Sequence, residues 1–179
     1  MRDLFIEMPY YTAQFLNLWM ETGDDAILER VYDDMEGTLG HVPAWLDFMR
    51  ALRSTCPETV LHGTDVGHQS MTTGRRYLEY LEGLGASDTE EYKLAQECIR
   101  QGEEFYELDG GDSVAATAYR EEALTSNFIR AYDALGGVPV MGIYGNLHAD
   151  PLRPDGATDS MAMRLEERYG DVIQYEPLV

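Results

Sequence analysis

The sequence of 179 residues holds a single lysine, Lys93, against twelve arginines and 33 acidic residues, for a formal net charge of -20. A field of that sign repels phosphate backbones and argues against nucleic acid as a partner. It favours cationic ligands, or serves solubility alone. Cysteine is nearly as scarce. Cys56 and Cys98 are too few for a disulfide framework and are not in CxxC spacing. Both read as small packing residues of a protein kept reduced, which points to the cytoplasm. No apolar run approaches the roughly 18 residues that cross a bilayer, so no membrane partner is expected. The opening MRDLFIEMPYY has one basic residue and an early Glu, unlike a secretory signal. Walker, GxGxxG, GxSxG and HExxH motifs are missing too, which argues against a nucleotide-binding enzyme or a serine hydrolase of the common type.

What the chain does have is apolar runs that end in chemistry. Leu4-Phe5-Ile6 runs into Glu7. Val60-Leu61 breaks into His62, Gly63, Asp65, Gly67 and His68. Val140 to Tyr144 runs into Gly145-Asn146-Leu147-His148. Each strand-like run delivers an acid or a histidine at its C-terminal end, the edge where open α/β sheets bind ligands. The pattern predicts strands at Asp3–Met8, Thr59–Leu61, Val138–Tyr144 and Asp171–Tyr175. The third has no charged residue and is expected at the centre of the sheet. Helical spacing predicts a helix after Pro9 through Tyr11, Phe15, Leu18 and Trp19. Others are expected from Ala26 to Met35 behind Asp24 or Asp25, and from Pro43. Thr72-Thr73 leads into a further helix. Ser87 with Glu90 fits a capping box for the next, which runs to Tyr106. A long helix from Val114 to Leu135 stops at Gly136-Gly137. His148 to Asp159 reads as irregular chain over the strand ends, before a short helix at Ser160–Tyr169. The class is α/β: a largely parallel central sheet flanked by helices, in one domain over 1–179 with a helical insertion at about 73–135.

The candidate site residues follow from these ends. Glu7 can bind a metal, act as a general base or hold a histidine; equally it can pair with an arginine or a helix N-terminus. His62, Asp65 and His68 are donors of the kind that hold zinc, manganese or iron, and are also residues that cap a Gly-rich turn. His148 can be a base or a ligand near neutral pH, or bond a buried carbonyl. On the long helix, Tyr119-Arg120-Glu121 precedes Asn127. Arg120 and Asn127 lie about two turns apart and share a face. The helical positions three and four residues from Arg120 hold Ala116, Thr117, Ala123 and Leu124, none acidic, so a carboxylate partner must come from elsewhere in the fold.

The segments FIEMPYYTAQFLNLWM, LHGTDVGHQ, YREEALTSNFIRAYD and GIYGNLH, in that order, resemble the erythromycin esterase-like proteins, within a wider set of ChaN-like and TIKI/TraB proteins. The resemblance spans Asp3 to His148, and bacterial members other than the antibiotic-resistance esterases look most similar. It implies an α/β fold and a hydrolase that activates water against an ester, lactone or amide carbonyl. By position it implies catalytic roles for Glu7, Arg120, Glu121 and His148. His62, Asp65, His68 and Asn127 would then contact the substrate. In the TIKI/TraB branch a divalent metal (manganese, zinc or cobalt) assists, with Glu7 and His148 as the ligands to expect here. The family's first strand and its Gly-Glu-x-His turn have no counterpart, so the expectation is an N-terminally truncated domain with an open sheet edge for self-association. The alternative is a non-catalytic relative that binds a metal or a small ligand.

Overall fold

The structure, a computed structural model, describes residues 2–152, 158–170 and 172–177. Its centre is a three-stranded parallel sheet in the order β2-β1-β3, with β1 at Asp3–Pro9, β2 at Val60–Asp65 and β3 at Met141–Ile143. Helices cover it, which makes the fold α/β. Three helices connect β1 to β2: α1 (Tyr10–Thr22), α2 (Asp25–Asp34) and α3 (Pro43–Thr55). A π-helical turn at Ser70–Gly74 and helices α4 (Arg75–Gly83), α5 (Glu90–Asp109) and α6 (Ser113–Ala134) lie between β2 and β3. After β3 come the short α7 (Asn146–Ala149) and α8 (Met161–Tyr169).

The alternation of β1 divides the core into two layers. Leu4 and Ile6 join Tyr11, Leu16, Trp19, Leu28 and Leu61 in the larger cluster. Phe5 faces the other way, where its ring meets His62 at 4.7 Å and Phe128 of α6 at 4.5 Å. Behind it, Leu124 packs with Met161 and Leu165 of α8. Glu7 shares the α6 side with Phe5, because side chains two apart on a strand share a face.

The outer edge of β2 is closed by a side chain. Val60 N–H donates to Arg2 across the sheet, so Leu61 turns its backbone outward. There Asn17 of α1 donates to the Leu61 carbonyl at 2.9 Å and accepts from the Leu61 N–H at 2.8 Å. An amide thereby takes the place of a neighbouring strand. β3 has no such cover among the described residues.

Several expectations are corrected. The charge-free run at Val138–Tyr144 is an edge strand of three residues, and the strand with both neighbours is β1. Freedom from charge reflected shortness and a Pro-Gly-rich approach, since Met141 and Gly142 remain exposed. β2 continues past Leu61 through His62 and Gly63 to Asp65, so these residues lie in the strand and the turn begins later. The N-cap of α5 is Thr89, whose Oγ1 accepts from the Tyr92 N–H at 3.3 Å, displacing Ser87 from that role. The entry to α4 is a π turn behind Gln69, a non-glycine residue in the left-handed region at φ 54°. No strand forms at 172–177, while Asp171 lies outside the described residues, as do residues 153–157 of the stretch expected to be irregular from His148 to Asp159.

Candidate active site

Glu7 stands near the end of β1, Asp65 is the last residue of β2, and His148 lies in α7, the short helix after β3. The chain leaves β1 first for β2 on one side, then crosses to β3 on the other. The crevice between β1 and β3 is therefore the topological switch point, where strand ends diverge and leave room for a ligand. Helix α6 lies behind it and supplies Arg120 and Glu121.

Arg120 is the hub. Its Nε donates to Asp65 Oδ1 at 2.9 Å and its Nη2 to Asp65 Oδ2 at 2.6 Å, a two-pronged pair of the kind a guanidinium makes with a carboxylate. The same Nη2 reaches Glu7 Oε1 at 2.8 Å. Nη1 has no hydrogen-bond partner among the described residues. Asp65 is 2% exposed. Burial pushes its carboxyl up, but hydrogen bonds from Arg120 and then His68 outweigh this and hold it well below the usual range. Burial opposes the charge of Arg120 as well. Asp65 and Glu7 outweigh it, so the guanidinium is charged at every accessible pH.

Glu121, the next residue, turns to a different partner. Its side chain is fully buried, and Oε1 is hydrogen bonded to His148 Nδ1 while Oε2 accepts from the Met161 N–H. The other ring nitrogen, Nε2, lies 3.5 Å from Glu7 Oε1. Burial pulls the His148 pKa down, but the bonds to Glu121 and Glu7 prevail and raise it to about 9. His148 is thus an imidazolium at neutral pH. Burial raises the Glu7 pKa, yet the His148 hydrogen bond and charge, with the Gly145 N–H on Oε2, leave it lowered. A Cβ at Gly145 would stand 3.1 Å from Glu7 Oε2, so this approach of backbone to carboxylate suits glycine.

His68 extends the row at its far end. Nε2 lies 3.3 Å from Asp65 Oδ2 and Nδ1 is 2.7 Å from the Tyr106 hydroxyl. The order Tyr106, His68, Asp65, Arg120, Glu7, His148, Glu121 is continuous through hydrogen bonds and ion pairs. No family model, curated protein or solved structure matches the chain.

Of the residues singled out in the sequence, Glu7, Asp65, His68, Arg120, Glu121 and His148 meet in this row. His62 and Asn127 do not. His62 binds Asp3 Oδ1 at 2.9 Å at the start of β1 and stacks on Phe5, because the extension of β2 carries it away from the strand ends. Asn127 donates to the Thr64 carbonyl at 2.9 Å and pairs with Gln101, which ties α6 and α5 to β2. Tyr106 was missed, since a half-exposed tyrosine on a long polar helix carries no sequence signal. A divalent metal does not fit. Among the described residues no group of three or more His, Cys, Asp or Glu side chains is arranged to hold one. Glu7 and Asp65 already share the Arg120 cation, whose charge would repel another.

Among the described residues, no helix is long and apolar enough to cross a membrane.

Proposed function

We propose that the chain is a hydrolase of the erythromycin esterase-like type, acting on an ester, lactone or amide carbonyl. The observation that carries this reading is the position of Glu7. It touches Arg120 on one side and faces His148 on the other, at the switch point of the sheet. In the reaction, Glu7 takes a proton from the attacking water as its oxygen bonds to the carbonyl carbon. Nη1 of Arg120 stabilises the oxyanion of the tetrahedral intermediate. The carbon–leaving-group bond then breaks, and His148 Nε2 gives its proton to the departing oxygen or nitrogen. Glu7 and His148 are 3.5 Å apart, so the proton on Glu7 can return to His148 and reset the pair. Glu121 is a positioning residue, holding Nδ1 so that Nε2 faces the substrate.

The test is turnover across p-nitrophenyl esters and simple lactones, in the wild type and in His148→Gln, with circular dichroism to check the fold. Loss of turnover in a folded variant is expected. An equal rate in the variant, or no turnover by the wild type on any substrate, would refute the proposal. The pH profile distinguishes the role of His148. Its service as an acid predicts activity that declines above about 9, whereas service as a base predicts activity that climbs towards that pH.

A second reading is a small-ligand-binding protein without turnover. What favours it is that Glu7, Asp65 and both ring nitrogens of His148 already have partners within the protein. We further propose that the open edge of β3 pairs with a second copy of the chain. Sedimentation of the wild type against Met141→Lys tests this: an edge lysine should abolish pairing.

A further inference from the structure

A groove of about 490 Å³ runs along the sheet from the switch point. Ile6 and Ile143 of the sheet and Trp45 and Phe48 of α3 line it. Glu7 and Gly145, joined by their own hydrogen bond, also line it. Phe48 is 43% exposed, and the loop that brings Gly40 to the rim also exposes Leu39 and Val42. Three apolar side chains, Leu39, Val42 and Phe48, thus meet the water in a chain of net charge -20. This concentration of apolar surface, of the size ordinary small-ligand sites have, is continuous with the reactive carboxylate.

We infer that this groove holds the apolar arm of an uncharged substrate and delivers its carbonyl to Glu7. The inference rests on the proposed hydrolase for the reacting atom, but the binding itself does not depend on turnover. Charge decides between a neutral and an anionic ligand. Glu7 is the charged residue among those lining the groove, while Arg120 and His148 lie beyond it, so a ligand carboxylate held within the groove is repelled and an uncharged ester or amide is not. Arm length decides affinity, because each methylene entering the groove leaves water.

The probes are methyl ketones from 2-butanone to 2-nonanone, which carry the carbonyl and the arm and cannot be hydrolysed, with alkanoates of matching length for comparison. Binding is read by calorimetry and by a saturable blue shift of tryptophan emission. Trp45 lines the groove, while the other tryptophan, Trp19, is buried in the core. Affinity for ketones should rise about fourfold per methylene. Alkanoates should bind at least tenfold more weakly. Trp45→Phe should remove the emission shift, which assigns the signal to the groove tryptophan. Phe48→Asp, a change at an exposed position, should flatten the chain-length series. A flat series in the wild type, equal binding of alkanoates, or an unaltered series in Phe48→Asp would overturn the inference. So would a dimer that Phe48→Asp dissociates while ketones fail to bind, which would assign the groove to a second copy. Ketone binding without ester turnover would refute the hydrolase and leave the groove. Turnover indifferent to arm length would do the reverse.

Discussion

Arg120 binds two carboxylates through Nε and Nη2 and leaves Nη1 without a partner among the described residues, so exchange for lysine separates its structural role from its chemical one. A lysine keeps the charge but cannot make the paired contact to Asp65 and extend a second nitrogen to a substrate. Arg120→Lys should lower kcat by about 10²–10³-fold and lower stability by about 1–3 kcal/mol, read by ester kinetics and urea denaturation. His148 makes a pH prediction. Its folded pKa of about 9 lies above the ordinary 6.5, so the folded state holds the proton more tightly than the unfolded chain. The stabilisation is full below 6.5 and is lost as pH rises through about 9. Asp65 and Glu7 are lowered instead, so their contribution is present above the ordinary carboxylate range and is lost as pH falls through their folded values. Urea midpoints from pH 3 to 10 should therefore fall at both ends. In His148→Gln the alkaline fall should shrink.

Packing between elements rests on close approaches that small residues permit. A Cβ on Gly102 of α5 would stand 2.2 Å from the Gly67 carbonyl oxygen, and a Cβ on Gly67 would stand 2.2 Å from the Cys98 carbonyl oxygen. The helix and the chain leaving β2 touch backbone to backbone. Gly102→Ala must separate them and should cost about 1–3 kcal/mol in thermal or urea denaturation. It also acts on the chain that carries His68, so a change in the His68 ring chemical shifts measured by NMR is expected with it. At the outer edge of β2, Asn17→Ala leaves the Leu61 N–H and carbonyl without their partner, and should cost about 1–3 kcal/mol. The buried thiol of Cys98 belongs to the same contact. Burial raises its pKa to about 12, and alkylating reagents should not modify it in the folded protein.

For the whole molecule, charge is the dominant feature. With a net charge of -20 the folded chain repels itself, and salt screens that repulsion. Raising sodium chloride from about 20 to 300 mM should raise the melting temperature. A fall would mean that screened ion pairs such as Arg130–Glu97 outweigh the self-repulsion.

Much of this could be read directly. Short apolar runs leading into Glu7, into His62 to Asp65 and into Gly145 to His148 marked where the three strands lie, because an apolar run and its interruption are local properties. The empty acidic positions around Arg120 on its helix implied a partner from elsewhere, and Asp65 and Glu7 supply it. The α/β class followed from strands alternating with helices. What sequence could not decide was where non-local pairing ends. Whether β2 stops at Leu61 or Asp65 depends on the register against β1, and that register sends His62 to Asp3 and away from the other site residues. Strand order is equally a matter of three-dimensional packing, so the charge-free run became an edge while β1 took the centre. Adjacent Arg120 and Glu121 divide between two carboxylates and a histidine because consecutive helical side chains point about 100° apart, and only the surrounding strands decide what each one meets.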